Sequence, residues 1–188
     1  MVHRALIDPK SVVVVGGSEN TQKPGGKVLA NILGRGFSGK VYAVNPKTEK
    51  VQGVPSYPSV EELPEVETAV LAVPAKLCVD AVQTLAEKKG TKGFIILSAG
   101  FSEESEEGAK LEEEIVRTVE KAGGSLIGPN CIGVLTPSFS GVFTSPIPKL
   151  DPKGCDFISG SGATAVFIME SGIPNGLTFS QVFSVGNS

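Results

Sequence analysis

Histidine and cysteine are scarce in this sequence of 188 residues. The only histidine is His3, and the three cysteines, Cys78, Cys131 and Cys155, lie far apart along the chain. A zinc site needs closely spaced Cys and His residues, and a disulfide framework needs an even number of cysteines. The inventory therefore argues against a metal centre, a disulfide scaffold and a histidine-based catalytic triad in this chain. Cys78 and Cys155 are predicted to be packing residues.

Long apolar runs and basic clusters are also missing. No segment reaches the roughly 20 apolar residues that a transmembrane helix requires, and the amino terminus lacks the pattern of a signal peptide. The net charge is −3, and residues 102–121 carry eight Glu against three cations, which we interpret as the solvated face of a helix. Basic residues do not cluster or alternate with aromatic ones. We therefore expect no nucleic-acid partner, no membrane association and a cytoplasmic location.

The sequence does contain a regular alternation of apolar strands and helices. Four consecutive valines at 12–15 predict a strand buried on both faces, as in the interior of a parallel sheet. Further strands and the helices between them are predicted at 40–44, 68–73, 93–97 and 125–127, and at 27–33, 75–89 and 102–122. Ser102 is the expected amino-terminal cap of the last of these helices. This rhythm predicts an α/β fold, with a Rossmann-like parallel-sheet domain over residues 1–135.

The rhythm changes after Leu135. The proline-rich stretch 136–153 is predicted to be a linker, and a second α/β unit begins at 154. That unit has a strand at 155–158, a Ser-Gly loop at 159–162, a helix to about 171 and a strand at 178–185. A lone βαβ piece cannot bury both faces of its strands. We therefore expect residues 154–188 to be the beginning of a second domain, and the chain to be part of a longer protein.

Five loops follow the predicted strands at their carboxyl ends, and they begin at Gly16, Asn45, Pro74, Ser98 and Gly128. Right-handed crossovers bring all five to the same edge of a parallel sheet. Ligands of open α/β sheets bind at that edge. The sequence therefore predicts one ligand site built from several loops.

The first loop joins the valine strand to a helix that begins at residues 24–26, Pro-Gly-Gly. A glycine-containing loop before a helix can hold a phosphate on backbone N–H groups, although the same residues also suit a simple tight turn. The dinucleotide fingerprint G-x-G-x-x-G is not met, and residues 45–47, Asn-Pro-Lys, stand where an acidic residue would bind a ribose diol. Lys47 suits an extra phosphate or is an ordinary turn residue. Both departures disfavour ordinary NAD binding.

These loops carry motifs of a known family. The chain resembles, over essentially all of its length, the α subunit of succinyl-CoA synthetase and especially the ADP-forming (NDP-forming) acyl-CoA synthetases. The motifs that carry the resemblance are V-G-G-S at 15–18, P-G-G at 24–26, N-P-K at 45–47, A-V-P-A at 72–75, L-S-A-G-F-S at 97–102, I-G-P-N-C-I-G at 127–133 and I-S-G-S-G at 158–162. The G-P-N-C-x-G and S-G-S-G elements, in this order and at this spacing, are specific.

The resemblance implies that the first domain binds coenzyme A and that the second is a flavodoxin-like ligase domain. The implied reaction interconverts acyl-CoA, ADP and phosphate with a free acid, ATP and CoA, through an acyl phosphate and a phosphohistidine. A separate ATP-grasp subunit or domain would bind ATP or ADP with Mg. The implied partners are thus CoA, a small carboxylic acid and the ATP-grasp portion, while a homo-oligomer stays open.

Matched motif by motif, the resemblance implies a set of residues that bind CoA: Gly17, Ser18, Lys23, Pro24, Gly25, Gly26, Lys47, Val73, Pro74, Ser98 and Ala99. The first-loop residues would follow the phosphates and the pantetheine arm. Lys47 would face the phosphorylated ribose. Val73 and Pro74 would flank the adenine or the upper arm, and Ser98 and Ala99 would line the pantetheine tail.

Four further residues would surround the reacting end of CoA. The resemblance places Asn130 and Cys131 near the thiol, where Cys131 is either a covalent nucleophile or a pocket wall. No histidine in this chain could activate it, which favours the wall. Ser161 and Gly162 begin a helix whose amino terminus could hold a phosphoryl group, or Ser161 is a simple helix cap.

The chain also departs from the family's pattern. Ala99 stands where succinyl-CoA synthetases usually have glutamate, which favours the ADP-forming branch and leaves the acid open. The tyrosine expected after the Ser-Gly loop has no counterpart in residues 163–168. The phosphorylated histidine is missing and is expected beyond Ser188, so this chain alone should bind CoA without turnover. Two other functions stay open, namely a non-catalytic sensor of CoA or acyl-CoA within a larger protein and an NAD(H)-responsive Rossmann regulator.

Overall fold

A computed structural model describes residues 2–145 and 147–187. Its larger sheet has seven strands in the order β3-β4-β2-β1-β5-β6-β7. Their bounds are β1 (Ser11–Val15), β2 (Lys40–Val44), β3 (Lys50–Val51), β4 (Val54–Tyr57), β5 (Thr68–Leu71), β6 (Gly93–Ile96) and β7 (Ser125–Ile127). All neighbouring strands are parallel except β3 and β4, which form an antiparallel hairpin. The predicted parallel α/β sheet is confirmed.

Three α-helices cover this sheet: α1 (Pro24–Gly34), α2 (Ala75–Lys88) and α3 (Glu106–Lys121). Side chains of β1 alternate between the two faces, so Val12 and Val14 pack in the cluster that contains α1 residues. Val13 and Val15 pack in the cluster that contains residues of α2 and α3. The valine run is thus the central strand, buried on both sides. Short 3-10 turns at Arg4–Leu6 and Val60–Glu62 complete this part of the fold.

The acidic helix α3 is present, but its cap differs from the prediction. Ser105, not Ser102, caps it, and the Ser105 hydroxyl accepts a hydrogen bond from the Gly108 amide at 3.0 Å. The amides of Glu104 and Ser105 both donate to the carbonyl of Phe101. This turn occupies the first residues after the loop, and the helix therefore begins three residues later than Ser102 would require.

A second, four-stranded sheet has the order β10-β11-β8-β9. Its elements are β8 (Gly133–Thr136), β9 (Phe139–Val142), β10 (Leu150–Ser159), α4 (Gly162–Gly172), a 3-10 turn at Ile173–Asn175 and β11 (Phe179–Ser184). Only β10 and β11 pair in parallel, while β11 with β8 and β8 with β9 pair antiparallel. Phe139 of β9 and Val134 of β8 also pack in the core cluster of α1. The hairpin therefore joins the two sheets.

Two predictions for this region need correction. The stretch 136–153, predicted to be a linker, contains all of β9 and the start of β10. Pro137 lies in the two-residue turn between β8 and β9, where it displaces no ladder hydrogen bond. Cys78 is buried as predicted, but Cys155 is exposed because β10 is an edge strand. The division into domains at these boundaries, and the flavodoxin-like character of the second unit, remain predictions.

Across residues 2–145 and 147–187, the structure has no helix with the length and apolar character that a membrane crossing requires.

Candidate functional site

The loops after β1, β2, β5, β6 and β7 lie at the carboxyl edge of the larger sheet, as the parallel strand order requires. The loops after β1 and β5 touch where the strand order reverses. Gly16, at φ +86°, lies so close to β5 that a Cβ atom on it would be 2.6 Å from the carbonyl oxygen of Ala72. This rim, defined as residues 16–26, 45–47, 72–75, 97–103 and 128–131, contains the predicted CoA-binding set.

The amino terminus of α1 packs tightly against the first rim loop. A Cβ atom at Gly25 would lie 2.1 Å from the carbonyl oxygen of Gly16, and one at Gly26 would lie 2.1 Å from that of Asn20. The residue at the cap position, Lys23, makes no side-chain capping hydrogen bond. The backbone amides at this helix terminus therefore lack a side-chain partner from the cap, as in anion-binding helix termini. Ser18 is half-buried beside them and Lys23 is exposed.

The loop after β2 is fastened to this first loop. The Asn45 side-chain amide donates to the carbonyl of Gly17 at 2.8 Å, and its oxygen accepts from the Lys47 amide at 3.0 Å. Lys47 is exposed, and its ammonium forms no ion pair with any residue that the structure describes. The Lys47 ammonium is therefore not neutralised by a carboxylate of the described residues.

Gln52 is a rim-supporting residue that the sequence analysis missed. Its side-chain amide donates to the carbonyls of Ser18 at 2.7 Å and Gly26 at 2.9 Å, and its backbone amide donates to Glu19 Oε1 at 2.6 Å. Gln52 and Gly53 both have positive φ and form the tight turn between β3 and β4. Of the two, only Gly53 is a residue type that favours positive φ, so the sequence signal for this hairpin turn is weak. No local sequence pattern predicts the contact between Gln52 and the first loop.

The loops after β5 and β6 are joined through the carbonyl of Val73. The Ser98 hydroxyl donates to it at 2.5 Å, and Val73 itself is half-buried beside Gly16. Pro74 and Ala99 are exposed on the rim. The predicted contacts for the upper arm and the pantetheine tail therefore lie on adjacent loops that are tied together.

The loop after β7 closes one end of the rim. Asn130 has φ +57°, and its amide donates to the carbonyl of Ser98 at 2.9 Å. Cys131 is buried, with its thiol 3.3 Å from the carbonyl oxygen of Ile96. Burial raises the pKa of the Cys131 thiol to about 12. Because a nucleophile must be an accessible thiolate, this environment favours the pocket wall over the covalent nucleophile.

A cavity of about 440 Å³ separates this loop from the amino terminus of α4. Its lining includes all four residues predicted for the reacting end: Asn130, Cys131, Ser161 and Gly162. The Ser161 hydroxyl accepts from the Thr164 amide at 3.3 Å, so Ser161 is a helix cap. Gly162 packs on Ile132, since a Cβ atom there would lie 2.7 Å from its Cγ2 atom. We call this space the junction cavity because residues of both parts of the chain line it.

A parallel sheet with an elongated rim, a helix terminus without a side-chain cap and a cavity at one end defines a Rossmann-like ligand-binding domain. The family described as "CoA binding domain" matches residues 10–137, and the chain belongs to that family.

Two curated relatives indicate which enzymes contain this kind of CoA-binding domain. The chain is 42% identical to acetate–CoA ligase [ADP-forming] I of Archaeoglobus fulgidus over 186 residues, which are 97% of this chain and 26% of the relative. It is 40% identical to acetate–CoA ligase [ADP-forming] II subunit alpha of Pyrococcus furiosus, over 97% of this chain and 39% of that subunit. The chain is thus homologous to the CoA-binding part of ADP-forming acyl-CoA synthetases, and it spans only about a quarter to two-fifths of these relatives.

A solved structure agrees with these relatives. The dinucleotide forming acetyl-coenzyme A synthetase 1 of Ca. Korarchaeum cryptofilum, in complex with phosphate and ADP, superposes with a TM-score of 0.87 at 32% identity. The match covers 97% of this chain and 39% of that one. The family resemblance and the α/β fold with its mostly parallel central sheet, both predicted from the sequence, are therefore confirmed.

Proposed function

We propose that this chain binds coenzyme A along the rim and presents its thiol in the junction cavity, as part of an ADP-forming acyl-CoA synthetase. The observation that carries the proposal is the position of the cavity at one end of the rim. Asn130 and Cys131 line it from the larger sheet, and Ser161 and Gly162 line it from α4. A long carrier with phosphates at one end and a thiol at the other matches this layout.

Each loop of the rim would contact a different part of CoA. Backbone amides at Gly25 and Gly26, with Ser18 and Lys23 beside them, would hold the diphosphate. Lys47 would pair with the 3′-phosphate of the ribose.

The apolar and small residues of the rim would meet the rest of the carrier. Val73 and Pro74 would contact the adenine or upper arm, and Ser98 and Ala99 the pantetheine tail. Gly17 would support the loop from behind, since it packs so closely on Ala43 that a Cβ atom there would lie 2.9 Å from the Ala43 Cβ atom.

The junction cavity would host acyl transfer. Phosphate attacks the thioester carbonyl, CoA leaves as the thiol, and the acyl phosphate then passes its phosphoryl group to a histidine from a longer chain and onward to ADP. The amino terminus of α4, capped by Ser161, would stabilise the negative charge of the phosphoryl group. An ATP-grasp subunit or domain would bind ADP with Mg, and a small carboxylic acid would be the product. A cytoplasmic location remains part of this proposal.

Calorimetric titration of the chain with CoA, dephospho-CoA and NADH tests the proposal. We expect CoA to bind, dephospho-CoA to bind about tenfold more weakly, and NADH to give no comparable signal, because one charge-assisted contact is lost with the 3′-phosphate. Lys47→Ala should weaken CoA by a similar factor and leave dephospho-CoA unchanged. Lys88→Ala, an exposed lysine at the carboxyl terminus of α2, is the matched control.

Two results would contradict the proposal. Tight NADH binding without a CoA signal would instead support an NAD(H)-responsive regulator. CoA binding that depends on neither the 3′-phosphate nor Lys47 would contradict the orientation of CoA proposed above. To separate a ligase from a non-catalytic CoA sensor, the complete natural protein should be assayed for acetyl-CoA-dependent formation of ATP from ADP and phosphate, with release of free CoA.

A further inference from the structure

The segment after β11 reaches from the second sheet to the rim of the first. The Gly128 amide donates to the carbonyl of Val185 at 3.1 Å, and the Asn187 amide donates to the carbonyl of Pro129 at 3.0 Å. Gly186 lies so close that a Cβ atom on it would be 2.0 Å from the oxygen of Pro129. The backbone of this segment is thus fixed against the loop after β7.

This docking places the Asn187 side chain between two rim loops. Its NH₂ group reaches Ser102 Oγ and Glu112 Oε2, each at 3.2 Å, and also donates to Glu103 Oε2. Carboxylates only accept hydrogen bonds, so the amide must turn its nitrogen toward them. The Asn187 oxygen therefore faces the other way and accepts from Asn130 Nδ2 at 3.4 Å.

Glu103 links Asn187 to the backbone of the loop after β6. Its second oxygen accepts from the amides of Gly100 at 2.6 Å and Phe101 at 3.2 Å. Burial alone would raise the pKa of Glu103, but the hydrogen bonds from Asn187 and from these amides outweigh it and hold the pKa below its ordinary value. The ionised carboxylate thus holds the loop and the Asn187 amide together.

Asn130 lies at the other end of this series of hydrogen bonds. Its backbone is in the left-handed region at φ +57°, and Asn130 belongs to the lining of the junction cavity. The structure describes one side-chain hydrogen bond for Asn130, the bond to Asn187. The second sheet therefore reaches the cavity through Asn187 as well as through α4.

We propose that Asn187 is a positioning residue, which orients Asn130 and the loop 98–103 around the junction cavity so that the cavity accepts the thiol end of CoA. The inference rests on the proposed function, because it assumes that CoA is the ligand of the rim. The nucleotide end of CoA would depend on loops of the first sheet alone, whereas the thiol end would need both sheets.

The test compares two ligands on the same variants by calorimetric titration. CoA reaches the cavity, whereas adenosine 3′,5′-bisphosphate occupies only the nucleotide end of the rim. Asn187→Asp places a third carboxylate against Glu103 and Glu112 and should weaken CoA binding by about tenfold or more, while bisphosphate binding stays within about twofold. Asn187→Ala removes the bonds without adding charge, so its loss of CoA affinity should be smaller.

A rescue experiment separates positioning from a general loss of structure. In Asn187→Asp combined with Glu103→Gln, the glutamine oxygen can still accept from Gly100 and Phe101 while its NH₂ donates to the new aspartate. This double variant should recover part of the CoA affinity. Asn175→Asp, the same chemical change at the 3-10 turn after α4, should alter neither ligand.

The outcomes distinguish the two proposals. No CoA binding by the unsubstituted chain would refute the proposed function itself. CoA binding that survives both Asn187 substitutions would refute the positioning role alone. Equal losses for CoA and the bisphosphate, without rescue, would show that Asn187 supports the fold rather than the thiol end.

Discussion

The two sheets of this molecule differ in how completely their surfaces are covered. In the larger sheet, helices cover both faces, and all residues of β5 and β6 are buried. In the second sheet, β10 is an edge strand that leaves Ile158 67% exposed, and α4 leaves Phe167 equally exposed. Two large apolar side chains of this second part are therefore exposed to solvent, whereas the strands β5 and β6 expose none.

This contrast separates two roles. The covered sheet positions the rim loops of the nucleotide end, while the loops after β6 and β7 also contact the segment after β11. The second sheet contributes one helix terminus and one docking segment to the junction cavity. Binding of a nucleotide end can thus be tested on this chain, while the proposed reaction would also require the phosphorylated histidine and the ATP-grasp portion that the proposal includes.

The largest expected difference in stability between the two regions comes from truncating one phenylalanine in each. Phe94 in β6 is fully buried, and Phe94→Ala should lower the free energy of unfolding by about 3–5 kcal/mol. Phe167→Ala, on the exposed face of α4, should change it by no more than about 0.5 kcal/mol. Urea unfolding followed by circular dichroism measures both variants. A large cost at Phe167 that grows with protein concentration would show that copies of the chain cover this face in solution.

The next effect concerns two glycines of α1. Gly25→Ala should destabilise the fold by about 1–3 kcal/mol and abolish measurable CoA binding, because the added methyl group collides with the carbonyl of Gly16. Gly34→Ala is the matched control, since a Cβ atom there meets nothing within 4 Å. The control should be neutral or stabilising by about 0.5–1 kcal/mol. Thermal unfolding and CoA titration give the two readouts, and equal behaviour of the two variants would contradict the close approach at Gly25.

Local patterns in the sequence predicted the larger sheet well. The valines of β1 are buried on both faces of the sheet, and the apolar stripes of the helices pack against it, as their spacing predicted. The strand order also brings the predicted loops to one edge. The family motifs also predicted a specific ligand, CoA, and grouped Asn130 with Ser161. Both of these residues line the junction cavity. These features depend on short stretches of chain and on general rules of α/β topology.

Other features depend on contacts between distant residues and could not be found this way. Gln52 reaches the first loop only because the β3–β4 hairpin folds beside it, and Asn187 meets Glu103 from another sheet. Ser102 and Ser105 are equally good caps locally, and the turn on the Phe101 carbonyl decides between them. Cys155 was predicted to be a packing residue, but edge position is a property of strand order and not of the residue.

The cysteines test the same contrast through thiol reactivity, and the substitution used, Cys155→Ser, should have the smallest effect on stability of those proposed. Cys155 on the edge strand is exposed, whereas Cys78 and Cys131 are buried in or beside the larger sheet, and burial raises the pKa of each of these two to about 12. At pH 8 a maleimide reagent should therefore label one thiol rapidly, and Cys155→Ser should remove that reaction with little change in stability. Because the folded state retains the two buried protons above pH 9, stability should fall as the pH rises from about 9 towards 12. Mass spectrometry after brief labelling identifies the modified residue, and rapid labelling of Cys131 would show that the junction cavity opens to solvent and would weaken its assignment as a pocket wall.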